Sequence, residues 1–116
     1  MEQINYADFA KLDFRVGEII EAQNVEKSEK LIRLIVNFGE EIGQKVVYSG
    51  IRKWYSPDDL LNKKTVFVVN MIPKKIMGEE SSAMIFAAST EVTASQGEQL
   101  SILILEKDLP AGTKVF

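Results

Sequence analysis

The sequence predicts an all-β domain: a small five-stranded barrel with a short helix between strands three and four, an N-terminal helix and a C-terminal strand extension. Three observations carry this. Between Lys30 and Phe38 the residues Ile32, Leu34, Val36 and Phe38 recur with a period of two, as on a strand with one buried face. Ser56-Pro57-Asp58-Asp59 is a helix start set between two strand-like runs. The 116 residues, 46% apolar and 27% charged, suffice for one core but not two, so residues 1–116 are expected to form a single domain.

Taken in order, Asn5 to Leu12 reads as a short helix capped by Asn5, with Phe9 and Leu12 on one face. So short a helix needs a surface to pack on. Phe14 to Val25 reads as a long, bent strand, and Gly17 inside it predicts a bulge or tight bend. Lys30 to Phe38 is the second strand, Gly39 to Gly43 a turn, Gln44 to Ser49 the third strand, and Ile51 to Tyr55 a helical turn. In the helix that follows, Ser56 can cap, Pro57 suits the first helical position, and Asp59 can return the capping bond.

Thr65 to Met71 is an apolar fourth strand stopped by Pro73. Lys74 to Glu80 reads as a loop turning at Gly78, and Ser82 to Ala88 as a fifth strand rich in small residues. Ser89 to Glu98 reads as a polar loop, Leu100 to Leu105 as a further strand, and Leu109 to Gly112 as a final turn. Five closed strands with a helix between the third and fourth form the oligonucleotide/oligosaccharide-binding (OB) arrangement. An SH3-like barrel is the alternative, but it has no need of the Ser56 helix.

Composition narrows the chemistry. With no Cys, disulfide scaffolds, thiolate zinc sites and thiol nucleophiles are excluded. With no His, the commonest general base near neutral pH is absent, along with every His-dependent triad and the HExxH zinc site. The acid pairs Glu40-Glu41, Asp58-Asp59 and Glu79-Glu80 read as turn or helix-start residues, not as metal ligands or acid/base pairs. No apolar run reaches membrane-spanning length and the N-terminus carries no secretory pattern, so the expected location is cytoplasmic. Met1 reads as a native start.

The net charge is −3, but it is unevenly spread. Lys27 to Lys75 holds ten basic and five acidic residues, a local charge of +5; the rest of the chain carries −8. If the central cations converge on one face, that face would attract a polyanion. A mixed, solvated surface is the alternative.

Several segments then become recognisable. Asp13-Phe14-Arg15-Val16-Gly17 resembles the D-[LI]-R-V-G opening of the tRNA-binding domain family. Ser28-Glu29-Lys30-Leu31, Asn37-Phe38-Gly39 and Ser49-Gly50-Ile51 resemble its S/A-D-K-L, D-x-G and S-G-I segments. Asn70 to Gly78 resembles N-L-K-P-x-K-[LM]-M-G, and Ser81 with Ala83-Met84 resembles S-x-G-M. Ile72 stands where Lys is usual and Ala83 where Gly is usual, and the His-Pro that often precedes the second segment is missing.

That family includes the C-terminal domain of bacterial methionyl-tRNA synthetase, the free-standing structure-specific tRNA-binding protein and the beta-like subunits of archaeal synthetases, with CsaA-like chaperones as close relatives. The resemblance implies an OB-fold barrel that binds tRNA by shape, a homodimer joined through its terminal segments, and a possible aminoacyl-tRNA synthetase partner. It implies no cofactor, and no charging of tRNA by this chain alone.

Against that background, Lys30 and Arg33 are candidate phosphate contacts, or else edge the sheet. Asn70, Lys74 and Lys75 straddle a strand end and the segment after Pro73; they are candidate phosphate contacts, or a solubilising turn. Met77 and Met84 offer soft contacts to bases or ribose, or else fill the core. Ser81 can hydrogen-bond phosphate or a 2′-OH. Arg52 and Lys53 are peripheral phosphate candidates beside Trp54 and Tyr55, where Trp54 is expected to pack the short helix onto the barrel. Ser49 is a contact or a cap. Three functions follow: a tRNA-binding accessory protein or synthetase subunit, a CsaA-like export chaperone binding apolar peptide segments, or a plain dimerisation module.

Overall fold

The computed structural model describes residues 1–90 and 99–116. Its spine is β1 (Phe14–Asn24), an eleven-residue strand shared by both halves of the sheet. The first half of β1 pairs antiparallel with β4 (Lys64–Val68), from Phe14 opposite Val68 to Glu18 opposite Lys64. Its second half pairs with β2 (Ile32–Asn37), from Glu18 opposite Asn37 to Asn24 opposite Ile32. Changing partners along one strand is what curls the sheet toward a barrel. β2 pairs in turn with β3 (Gln44–Ser49), and β4 with β7 (Met84–Ile85). At the C-terminus β10 (Lys114–Val115) adds to the start of β1. This curled sheet, in the order β3-β2-β1-β4-β7 with β10 added beside β1, is the expected OB-like, all-β architecture.

Alternation places the core. Ile32, Leu34, Val36 and Phe38 are all fully buried, and the Phe38 ring meets Phe67 of β4 edge-on, 5.2 Å between centroids. The short helix α3 (Pro57–Leu60) begins with the expected capping box, Ser56 and Asp59 exchanging bonds, and drives Leu60 into the core. Trp54 and Tyr55 pack against the same cluster, and the Tyr55 hydroxyl accepts a bond from the Ile102 N–H. At the N-terminus α1 (Tyr6–Ala10) is capped by Asn5 and buries none of its residues. Among the described residues no helix is long and apolar enough to cross a membrane.

Beyond shifts at element ends, such as β4 stopping at Val68 and not Met71, the structure differs from the sequence expectations as follows. The register shift in β1 lies between Ile19 and Glu21, not at Gly17. Gly17 instead answers to crowding: a Cβ there would lie 2.6 Å from Phe38 and Val36 and 2.8 Å from Phe67. Gly39–Ile42 forms a single helical turn, α2, inside the expected bend. Lys74 to Glu80 is no loop. It contains β5 (Lys74–Ile76) and the start of β6 (Glu79–Ser81), a hairpin whose two-residue turn has positive φ at both Met77 (52°) and Gly78 (79°).

The expected fifth strand is divided between β7 and β8 (Ala87–Ser89), because β8 leaves β4 to pair with β9 (Leu100–Ile102). The last expected strand therefore stops at Ile102, with one further bridge from Ile104 to Thr65. Ser89 and Thr90 precede the rest of the expected polar loop, and residues 91–98 lie outside the described residues.

Candidate nucleic-acid interface

On β2 and β3 the residues between the core positions face outward, and Arg33 stands directly opposite Tyr48. The β5–β6 hairpin lies over this pair. One carboxylate joins them: Arg33 donates from Nε and Nη2 to the two oxygens of Glu79 at 2.7 and 2.9 Å, and the Tyr48 hydroxyl donates to Glu79 Oε1 at 2.7 Å. The Arg33 bonds, then the Tyr48 bond, hold the Glu79 carboxyl down at about 2, and the same pairing raises the Arg33 guanidinium above its already high value. Ser81 adds a second tie, its Oγ accepting from the Tyr48 backbone N–H at 3.2 Å. These two ties join β3 to β6.

Pairing across the hairpin sorts its side chains. Lys74, Ile76, Glu79 and Ser81 share one face, and Lys75 and Glu80 share the other. From the first face Lys74, Ile76 and Ser81 wall a concavity of about 200 Å³ together with Tyr48, Met71, Ile72, Ala83 and Met84. Ile72 is 89% exposed, and Met71, Met77 and Met84 are each about half exposed. Large apolar side chains left in solvent beside a lysine can take the faces of unstacked bases, with the ammonium group on the adjoining phosphate.

The candidate residues divide accordingly. Lys74 and Met84 line this concavity, and Met77 stands at the exposed hairpin tip. Lys75 points from the opposite face of the hairpin. Arg33 stands opposite Tyr48, which lines the concavity, and two of its donors are committed to Glu79. Lys30 is exposed in the loop before β2, whose backbone is held by Ser28 Oγ.

Arg52 sits below that loop with Nη1 donating to the carbonyls of Val25 and Ser28, so its guanidinium braces the chain. Lys53 lies 5.5 Å over the Trp54 ring. Ser49 and Ser81 are each only 8% exposed, on the inward side of their strands. Asn70 is a brace as well. Its Oδ1 accepts from the Asp13 N–H at 2.9 Å, and its Nδ2 donates to the Lys11 carbonyl at 2.6 Å.

Several of the central cations are engaged within the protein. Lys64 pairs with Asp108 on a different side, Arg33 with Glu79, and Lys45 Nζ reaches Ser82. Strand alternation sends neighbouring lysines to opposite faces, and acids from outside the central stretch come across to meet them. Sequence reasoning passed over Tyr48, Met71 and Glu79 as contributors. The signal available for the first was its place in the alternation of β3, between the inward Val47 and Ser49. Glu79 gave none, since its partner lies 46 residues away. Among the described residues no three acidic groups gather to hold a metal ion.

Residues 14–114 match the family model described as "Putative tRNA binding domain". The methionine–tRNA ligase of Methanocorpusculum labreanum is 46% identical over 114 residues, 98% of this chain and 16% of that enzyme. The chain spans 15–17% of the length of such curated relatives. Among solved structures, the MetRS related protein from Pyrococcus horikoshii superposes with a TM-score of 0.86 at 31% identity, covering 100% of both chains. The chaperone CsaA from Bacillus anthracis str. Ames gives 0.83 at 32% identity, over 99% of this chain and 100% of that one.

Proposed function

This chain belongs to the tRNA-binding domain family, and on that premise we propose that it binds folded tRNA through the face formed by the β5–β6 hairpin and the outer side of β3. The observation that carries the choice of face is the concavity beside Lys74, where Tyr48, Met71, Ile72 and Met84 present apolar surface to solvent. Lys74, Met77 and Met84 would touch RNA directly, with Lys30 and Lys75 as flanking phosphate contacts. Arg33 would meet a phosphate with the donors that Glu79 leaves over. Ser49, Ser81, Arg52 and Asn70 support the scaffold beneath. The chain acts by binding and not by catalysis, raising the local concentration of tRNA for a synthetase of the methionine class, in the cytoplasm.

We assign a different face to self-association. Tyr6, Phe9 and Leu12 around α1 join Phe14, Val115 and Phe116 in a second apolar concavity, with Tyr6 78% and Phe116 94% exposed. Two copies meeting there would cover a helix that has no buried residue of its own. The full chain should then run as a dimer in sedimentation, and Phe9→Glu should convert it to monomer.

The test of the main proposal is a mobility-shift titration of purified tRNA across salt concentrations. Contact with about three to five phosphates predicts a log–log slope of roughly −2 to −4. The same exposed apolar wall favours one competing occupant, an apolar peptide. Peptide binding that ignores salt, with no retention of tRNA, would replace the RNA reading with that one.

A further inference from the structure

An acid beside a surface that takes RNA ought to oppose binding. Glu79 does not fit that simple expectation, because its charge is already answered within the protein. Both of its oxygens are held by Arg33, and one of them also by the Tyr48 hydroxyl. The ion pair is partly withdrawn from solvent, with the Arg33 side chain 24% exposed. At the distance of a bound phosphate, the pair acts as a small dipole and not as a full negative charge.

What the carboxylate supplies is position. The β5–β6 hairpin has three residues per strand, and an isolated two-stranded hairpin of that size has little stability of its own. Its tip is held in a costly conformation, with the non-glycine residue Met77 at φ 52°. Two polar ties bring the hairpin to the barrel: Ser81 to the Tyr48 N–H, and Glu79 to Arg33 and Tyr48. The Glu79 tie sits at the end of β6 nearest the tip, opposite Ile76, so it governs where Ile76 and Met77 stand relative to Tyr48.

Resting on the tRNA reading above, we propose that Glu79 is a positioning residue for RNA, and that removing it weakens tRNA binding although it removes a negative charge from the binding face. The geometry makes Arg33 and Tyr48 its two anchors.

The experiment compares wild type, E79A, E79Q, Y48F and K74A for tRNA affinity at several salt concentrations, with amide hydrogen exchange across residues 74–81 measured on the same proteins. The expected result is an affinity about tenfold lower for E79A, in proportion to the loss of hydrogen bonds to a charged group. Its salt slope should be no shallower than wild type, because no phosphate contact is removed and Arg33 is released, and exchange in the hairpin should quicken. Y48F should lose less in the same direction, E79Q should fall between Y48F and E79A, and K74A should lower the slope by about 1. Y48F and E79Q also serve if E79A proves poorly folded. Affinity unchanged or raised in E79A, Y48F and E79Q while wild type binds tRNA would overturn the positioning role and leave the tRNA reading intact. A wild type that retains no tRNA would overturn that reading, and this inference with it.

Discussion

Asn70 clasps the chain on either side of Leu12: its Oδ1 takes the Asp13 N–H at 2.9 Å while its Nδ2 gives to the Lys11 carbonyl at 2.6 Å. A residue that looks like a ligand contact from its motif is thus engaged in holding the N-terminal segment to the end of β4. Asn70→Ala should lower stability by about 1–2 kcal/mol, the net worth of two hydrogen bonds at a solvent-accessible site, and shift the melting temperature by several degrees. The salt slope of tRNA binding should stay where it was. A slope that falls by about 1 would return Asn70 to the RNA contacts.

Gly17 carries a different constraint. Because a methyl group there would press on Phe38, Val36 and Phe67 at 2.6–2.8 Å, Gly17→Ala should cost about 1–3 kcal/mol through overpacking. The denaturation midpoint should fall with the m-value unchanged. An alanine variant as stable as wild type would mean that the three side chains yield at little cost.

The Glu79 cluster predicts a pH window. Its carboxyl is held at about 2 against an ordinary 4.5, first by the Arg33 bonds and then by Tyr48. A group depressed in the folded state stabilises fully above its unfolded value, so the contribution is whole above about 4.5 and fades as pH falls toward 2. The Tyr48 phenol is shifted the opposite way, raised by burial and then by its bond to Glu79. Its contribution is whole below the ordinary value of 10 and fades as pH rises through the folded value. The gap in melting temperature between wild type and E79Q should be wide at neutral pH and should close in acid. A gap constant down to pH 2.5 would show that the ion pair contributes nothing to the fold.

Lys74 and Lys75 are neighbours in sequence and opposites in space. Lys74→Ala should cut the magnitude of the salt slope by about 1, while Lys75→Ala should change it by less. The triple variant with Lys30→Ala should weaken binding broadly across tRNAs. Equal effects from the two single variants would place the RNA against both faces of the hairpin and not on its concave side alone.

The local features of this protein are written in the order of its residues. The alternation at Ile32, Leu34, Val36 and Phe38, all fully buried, needs only the two-residue period of a strand, and the cap at Ser56 needs only its neighbour three residues on. The same is true of the family resemblance, which runs along short segments at set spacings. Which polar groups are free to meet RNA is another kind of fact. Arg33 finds its acid 46 residues later, Asn70 its carbonyl 59 residues earlier, and Ser81 its amide 33 residues back. Barrel curvature and strand register bring those partners together, and neither is visible in a linear pattern. The chain alone therefore determined the fold class and the binding family. Only the folded sheet decided which charged and polar side chains brace the scaffold and which few, with Lys74 foremost, are left facing solvent beside an apolar wall.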